Sequence, residues 1–201
     1  MTTPSQQAPT TPIVHQSSRS GLRDSVLGTR NLMTVAALAV VGSVIVVPLT
    51  YLTAVVATSP HGILVMCALM GAWMVPYLLP GVIINKPGAF AVAGLIMGIV
   101  LAFLTPQGPA AILGSLIGAA FVGVPVALTL YRHWTWPVFM ASGIVFGGLN
   151  AALYATAYQV AMTPGETVLG IVLAVLSCWV AVGACLLMRR TLARSGLGVA
   201  R

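Results

Sequence analysis

The chain after residue 30 is dominated by apolar runs that are about as long as a membrane-spanning helix, which needs about 20 residues. Short breaks rich in Pro and Gly separate the runs: TSPHG, NKPG, TPQGP, YRHWTWP and MTPGET. The pattern predicts an all-α, polytopic membrane protein built as a six-transmembrane-helix bundle. The predicted spans are residues 33–57, 62–84, 88–105, 110–131, 136–162 and 167–188.

Composition supports a membrane protein over a soluble one. Hydrophobic residues make up 59% of the chain and charged residues only 5%, whereas a soluble domain carries roughly 25% charged residues. The net charge of +7 would suggest nucleic acid in a soluble domain. Here the few basic residues lie between apolar runs, so we expect the lipid bilayer as a partner and no nucleic acid.

The basic residues predict the orientation of the bundle. The intervening loops, 58–61, 105–109 and 163–166, contain no Lys or Arg. Because cytoplasmic loops carry the excess of Lys and Arg, we expect an N-in/C-in protein of the plasma membrane. The nine cations all fall on one side of the predicted spans: Arg19, Arg23, Arg30, Lys86, Arg132, Arg189, Arg190, Arg194 and Arg201.

The segments outside the spans are short and polar. Residues 1–30 are rich in Ser, Thr, Pro and Gln, a composition that predicts a disordered cytoplasmic tail. Residues 31–188 form the predicted transmembrane domain. Residues 189–201 form a short basic cytoplasmic tail.

The sequence lacks the residues that several function classes require. Neither of its two acids, Asp24 and Glu166, lies deep within a predicted span. Because proton-coupled carriers usually keep a carboxylate or a histidine at that depth, the sequence disfavours this class. No phosphate-binding Gly-rich loop, no nucleophile–base set and no Cys/His metal spacing is present, so we expect no enzyme, no cofactor and no metal site. Transport of a solute against its concentration gradient would therefore need energy supplied by a partner protein. A passive facilitator and a non-transporting structural subunit remain alternatives.

Span 5 contains a line of polar and aromatic side chains in the stretch GGLNAALYATAYQ. Asn150, Tyr154 and Tyr158 recur every four residues and therefore share one helix face. We interpret this face as one wall of an outward-facing substrate pocket, with Asn150 near the midplane. The alternative is an interhelical hydrogen bond together with interfacial tyrosines.

Further residues are candidates for the same pocket. Trp73 lies near the middle of span 2, where it either stacks on a flat ligand or fills the core. Five residues towards the outer side could roof the pocket, although each alone is more readily explained as an ordinary loop or interface residue: Tyr51, His61, Gln107, Gln159 and Glu166.

A family resemblance rests on the stretch PYLLPGVIINKPGAF, which runs from span 2 across the turn at Lys86 into span 3. It resembles the substrate-binding S components of energy-coupling-factor (ECF) vitamin transporters. Within that group it is similar to the YkoE family, which is associated with uptake of hydroxymethylpyrimidine and thiamine-related molecules. YRHWTWPV and GGLNAALYATAY fit the same pattern, so the resemblance covers about 33–194.

The resemblance implies a subunit that captures thiamine or its pyrimidine precursor from the outer side. The subunit would deliver this vitamin-like molecule through a transmembrane coupling protein with two ATPase subunits. Small residues of the first helix form part of the docking surface in S components, and Ala39 and Ser43 are the matching candidates. Because the spans contain no carboxylate, a cationic thiazolium would lack a buried partner unless Glu166 reached it. A neutral heterocycle or a more apolar molecule is therefore an alternative substrate.

Overall fold

The structure is a computed structural model that describes residues 28–59, 61–157 and 163–194. Residues 1–27 of the predicted N-terminal tail and 195–201 of the predicted C-terminal tail lie outside these ranges, whereas residues 29–30 and 189–194 of those tails belong to the first and last helices. Every regular element in the described part is a helix. The helices are α1 (Thr29–Val56), α2 (Gly62–Ala68), α3 (Met70–Ile84), α4 (Ala89–Leu104), α5 (Ala110–Leu128), α6 (Trp136–Ala157) and α7 (Pro164–Arg194).

The helices suit a multi-pass membrane protein by length and composition. Four helices, α1, α5, α6 and α7, are long and apolar enough to cross a bilayer, and so is Gly62–Ile84, which comprises α2 and α3. Helix α4 has 16 residues and spans about 24 Å at 1.5 Å per residue, short of a hydrocarbon core of about 30 Å. The described part thus contains five candidate spans and one shorter apolar helix, and six crossings stay a prediction.

Helix α3 forms the centre of the bundle and packs against α1, α4, α5, α6 and α7. The other helices follow one another around it, with α1 beside α4, α4 beside α5, α5 beside α6 and α6 beside α7. Twelve of the 15 residues of α3 are buried. The outer helices instead expose large apolar side chains, such as Phe103 at 85% and Val180 at 74%. A hydrophobic exterior of this kind is compatible with lipid and not with water.

Helix α1 approaches the central helix closely at Gly42. A Cβ atom added there would lie 2.6 Å from the Cβ of Pro76, so only glycine permits this separation. Pro76 and Pro80 lie inside α3, and Pro48 and Pro125 lie inside α1 and α5. The helices continue through these prolines. In a membrane bundle, neighbouring helices satisfy the carbonyl groups that a proline leaves without a donor.

The turn between α3 and α4 is fixed by two residues in the left-handed region. Asn85 ends α3 at φ 50°, and Gly88 precedes α4 at φ 84°. The side-chain amide of Asn85 is oriented so that both of its polar atoms have partners. Its oxygen accepts a hydrogen bond from the guanidinium of Arg189 at 2.9 Å, and its nitrogen donates one to the carbonyl of Val82 at 3.1 Å. The turn that contains Lys86 is therefore tied to the C-terminal part of α7.

The loop between α5 and α6 lies at this same end of the bundle. Helix α5 ends at Leu128, three residues before the predicted end of its span, because Leu130 and Tyr131 adopt positive φ angles. Trp134 folds back onto Phe90 at the start of α4, with ring centroids 6.0 Å apart. The end that carries Lys86, Arg132 and Arg189 is called the cationic end below.

The opposite end of the bundle is formed by the loop 105–109 and by the C-terminal parts of α1 and α4. The hydroxyl group of Tyr51 donates to the carbonyl of Leu104 at 2.9 Å, so α1 and α4 run in parallel. This end has no Lys or Arg among the described residues. Its assignment to the outer face of the membrane stays a prediction.

Candidate functional site

A cavity of about 250 Å³ lies between α3, α4, α5 and α6 in the half of the bundle away from the cationic end. Helix periodicity explains why these helices contribute to it. Residues three, four, seven or eight positions apart share a helix face, and α3, α5 and α6 each present one such row, while α4 contributes only Leu101. The rows are Met70, Trp73 and Tyr77 on α3, Ala111, Gly114, Ser115 and Gly118 on α5, and Phe146, Asn150 and Tyr154 on α6.

Two buried aromatic rings and a hydroxyl pair form the deep end of the cavity. The hydroxyl of Tyr77 donates to the Oγ atom of Ser115 at 3.3 Å, and both side chains are buried. The rings of Tyr77 and Phe146 lie 6.1 Å apart, tilted by 43°. Gly118 faces both rings, because a Cβ added there would contact them at 3.5–3.6 Å. This floor offers aromatic surface with one polar spot.

The walls add amide and aromatic groups. One amide N–H of Asn150 donates to the carbonyl of Phe146 at 2.8 Å, which fixes the side chain against its own helix. Trp73 and Tyr154 are half-buried and line the same space. Gln107, from the loop at the end opposite the cations, contributes a second amide. The cavity therefore combines flat apolar surfaces with uncharged hydrogen-bonding groups.

Room within the cavity is visible at Gly114. This glycine lies one helical turn before Gly118 and so faces the same way, one turn above the floor. A Cβ atom added at Gly114 would meet nothing within 4 Å. A larger side chain at this position is expected to occupy the cavity without displacing the helices.

A break in the second predicted span positions Trp73. The helix is interrupted at Leu69 between α2 and α3. Ser177 of α7 bridges the interruption: its hydroxyl donates to the carbonyl of Ala68 at 2.5 Å and accepts from the N–H of Gly71 at 2.9 Å. A Cβ on Gly71 would lie 2.1 Å from the backbone oxygen of Ser177. The close approach of α7 to Gly71 thus fixes the direction in which α3 begins.

The structure brings together three of the predicted substrate-binding residues, Trp73, Asn150 and Tyr154. Glu166 is partly exposed and lies outside the cavity lining. Its carboxylate accepts hydrogen bonds from the N–H and the hydroxyl of Thr163, at 2.8 and 2.9 Å. This is the capping-box arrangement at the start of a helix. Tyr158 lies outside the described residues. The binding roles of all five residues stay predictions.

The two residues predicted to dock a partner are covered by the protein's own helices. Ala39 is fully buried and Ser43 is 2% exposed. The hydroxyl of Ser43 donates to carbonyl groups of α1 itself, at Ala39 and Val40. The exposed face of α1 lies on the other side and carries Val41 and Val44. Contact of Ala39 and Ser43 with a partner stays a prediction, and it would require α1 to move.

Sequence reasoning missed Tyr77, Ser115 and Phe146. Tyr77 follows Trp73 by four residues, and Phe146 precedes Asn150 by four, so each extends a row that the sequence already marked. That spacing was the available signal. Ser115 has no such signal, because a serine in an apolar helix usually bonds to its own backbone.

Among the described residues, the cavity lining includes no charged side chain and no His, Cys, Asp or Glu. Within the described ranges, no group of three or more His, Cys, Asp or Glu side chains is close enough to hold a metal ion. The cavity lining supplies hydroxyl, amide and aromatic groups. Such groups suit recognition of an uncharged organic molecule through stacking and hydrogen bonds.

Comparisons with known proteins point to transport. The family model described as "ABC-type cobalt transport system, permease component" matches residues 30–149, more than half of the chain. The fold is similar to a solved structure titled "Crystal structure of an S-component of ECF transporter", with a TM-score of 0.72 and 21% sequence identity. The match covers 84% of this chain and 86% of that one. No curated protein matches the sequence.

Proposed function

Because this chain belongs to the family of ABC-type cobalt transport system permease components, we propose that it is the substrate-binding subunit of an ATP-driven importer of the ECF type. The fold supports this proposal through its likeness to an S component. The observation that carries it is the cavity between α3, α4, α5 and α6, which is lined by aromatic and uncharged polar groups. The subunit would take its substrate from the side that the loop 105–109 faces.

The size of the cavity limits the substrate to a small molecule. Pockets for drug-sized ligands measure roughly 300–1,000 Å³, and this cavity measures about 250 Å³. A one-ring heterocycle, or a compact two-ring one, fits this range. The rings of Trp73, Tyr77 and Phe146 offer flat surfaces for stacking, and the amide of Asn150 offers a hydrogen-bonding partner near them.

The donor set disfavours a cobalt ion as the substrate, although the family description names that metal. First-row transition metals are held in proteins by imidazole, thiolate and carboxylate groups. The cavity lining within the described residues has none of these. A dehydrated divalent cation would therefore lose its water ligands without gaining protein ligands of comparable strength.

The groups that line the cavity also distinguish between thiamine and its pyrimidine precursor, the two substrates that the YkoE-like resemblance suggested. Thiamine carries a cationic thiazolium, and cation–π contact with Trp73 or Tyr154 would contribute about 0.5–2 kcal/mol. Burying an ion costs several kcal/mol, and no carboxylate among the described residues lines the cavity to offset that cost. We therefore favour the uncharged pyrimidine precursor, or a heterocycle of similar size and polarity, over thiamine itself.

Ligand binding to a cavity-blocked variant tests the proposal. We would titrate the detergent-purified protein with hydroxymethylpyrimidine, thiamine and Co²⁺ and follow tryptophan fluorescence. The uncharged pyrimidine should bind, and Gly114→Leu should weaken its binding at least tenfold because leucine fills the cavity. Gly148→Leu is the matched control, since a Cβ at Gly148 also meets nothing within 4 Å and Gly148 lies outside the cavity lining. Equal loss in both variants, or preferred binding of Co²⁺, would refute the assignment.

The proposed energy source is a partner, because the chain carries no nucleotide-binding loop of its own. We propose that a coupling protein with two ATPase subunits docks on this chain and drives delivery of the substrate. Uptake into vesicles should then require both the partner and ATP. Flux through the purified protein alone would instead indicate a passive facilitator.

A further inference from the structure

A second cavity lies on the surface of the bundle, towards the cationic end, and it shares no lining residue with the substrate cavity. It is a groove of about 490 Å³ between the start of α6 and the C-terminal part of α7. We call it the α6–α7 groove. Its main lining residues are Trp136, Met140, Trp179, Val182, Leu186 and Arg190.

The walls of the groove are almost entirely hydrocarbon. The indole N–H of Trp179 donates to the carbonyl of Met140 at 3.2 Å, so the polar atom of this tryptophan is already used. Gly183 lies in the lining, and a Cβ atom added there would meet nothing within 4 Å. The missing side chain at this position is part of what keeps the groove open. An apolar space whose lining extends along α7 from Trp179 to Arg190 matches an acyl chain.

One end of the groove carries a positive charge. Arg190 is exposed and lines the groove. Within the described part of the chain, the only carboxylate belongs to Glu166, 24 residues earlier in α7 and therefore about 36 Å away along the helix axis. The neighbouring Arg189 donates to Asn85. Among the described residues, no carboxylate therefore lies near the guanidinium of Arg190, and this group can pair with an anion from outside the chain.

The charge lies at the depth where a lipid headgroup would be. The apolar part of α7 ends at Met188, directly before Arg189 and Arg190. Trp136, which is 62% exposed, stands at the start of α6, and exposed tryptophans are enriched at the interface between hydrocarbon and water. The groove therefore runs from the headgroup level into the hydrocarbon region, with its cation at the interfacial end.

We propose that the α6–α7 groove binds an anionic phospholipid, with the phosphate group paired to Arg190 and one acyl chain packed against Trp179, Val182 and Leu186. Basic residues at the edge of a crevice between transmembrane helices recognise anionic headgroups in this way. Annular lipid contacts a membrane protein without being held by such a fixed charge. The groove should therefore bind phosphatidylglycerol more tightly than phosphatidylcholine.

Lipid-dependent thermal stability tests the proposal. We would delipidate the detergent-purified protein, add phosphatidylglycerol or phosphatidylcholine, and measure the unfolding temperature across a lipid titration. Phosphatidylglycerol should bind roughly fivefold more tightly than phosphatidylcholine, the preference expected from one basic residue at an anionic headgroup. Arg190→Gln should abolish the preference, and Gly183→Leu should weaken binding of both lipids by filling the groove.

Arg194→Gln is the matched control, because Arg194 lies one turn further along α7 and outside the groove lining. It should keep the preference for phosphatidylglycerol. Equal binding of the two lipids to the unchanged protein, or equal losses in Arg190→Gln and Arg194→Gln, would overturn the proposal. If Gly183→Leu left lipid binding intact and prevented association with the coupling protein, the groove would be a protein interface and the lipid proposal would fail. Should Arg190→Gln not fold, the lipid preference of the unchanged protein and the loss of lipid binding in Gly183→Leu carry the test together.

Discussion

Replacing Ser177 with alanine should destabilise the bundle and weaken substrate binding together. The Ser177 hydroxyl bridges the break between α2 and α3, donating to Ala68 and accepting from Gly71. Alanine at 177 leaves a backbone carbonyl and a backbone N–H without this partner. Ser177 is 13 residues from one end of α7 and 17 from the other, about 20 Å or more from either end. Water at that depth in a bilayer does not replace the lost bonds.

The size of the effect follows from the two bonds. Single interhelical hydrogen bonds in membrane proteins contribute on average about 0.6 and at most about 1.7 kcal/mol. An unsatisfied buried polar group costs about 1–3 kcal/mol. We therefore expect Ser177→Ala to lower the free energy of unfolding by about 1–3 kcal/mol. Because the break sets the direction of α3 and hence the position of Trp73, substrate affinity should fall as well.

Ser142→Ala is the matched control. Ser142 is fully buried, and its hydroxyl donates to the carbonyl of Val138 within its own helix at 3.2 Å. Its removal costs little, since that carbonyl belongs to a continuous helix. The assay is reversible unfolding of the detergent-solubilised protein by a denaturing detergent, with ligand titration of each variant. If Ser177→Ala were no more destabilising than Ser142→Ala, the bridging role of Ser177 would be wrong.

Three further changes address packing, ligand contact and charge. Gly42→Val should destabilise the bundle by about 1–3 kcal/mol, measured by the same unfolding assay, because the added side chain overlaps Pro76. Asn150→Leu should weaken ligand binding about tenfold, since it removes the amide from the cavity wall, while the free energy of unfolding changes little. Ligand affinity would be measured by calorimetric titration, and an unchanged affinity would mean that Asn150 is not part of the site. Glu166→Gln keeps a side chain able to form the capping box with Thr163, so stability and affinity for an uncharged ligand should both persist. A large loss of affinity in Glu166→Gln would instead mean that this carboxylate reaches the ligand.

The helices and their order were predictable because the apolar runs in the sequence are long and clearly separated. Uninterrupted apolar runs have few structural options in a membrane, and the breaks at NKPG and TSPHG contain residues that favour turns. The break at Leu69 was not predictable. It has no proline or charge nearby, and it depends on a serine 108 residues later in the chain, which only the folded bundle brings close.

The candidate site was predictable in part for a similar reason. Asn150 and Tyr154 share a helix face, and a helix face can be derived from spacing alone. Which side of a helix faces the core cannot be derived when nearly every residue is apolar. That ambiguity explains why Ala39 and Ser43 were predicted to dock a partner, because their small side chains suit contact with either a partner or the chain's own helices. In the structure they are buried within the bundle.

Identification of the bound molecule tests the central claim most directly. The protein and its Gly114→Leu variant would be extracted gently from their native membrane, and the released small molecules would be measured by mass spectrometry, with elemental analysis for cobalt. We predict an uncharged one- or two-ring heterocycle, present in near-stoichiometric amount with the unchanged protein and absent from Gly114→Leu. Stoichiometric cobalt, or a charged molecule retained equally by both proteins, would contradict the assignment of the cavity as the site for an uncharged substrate.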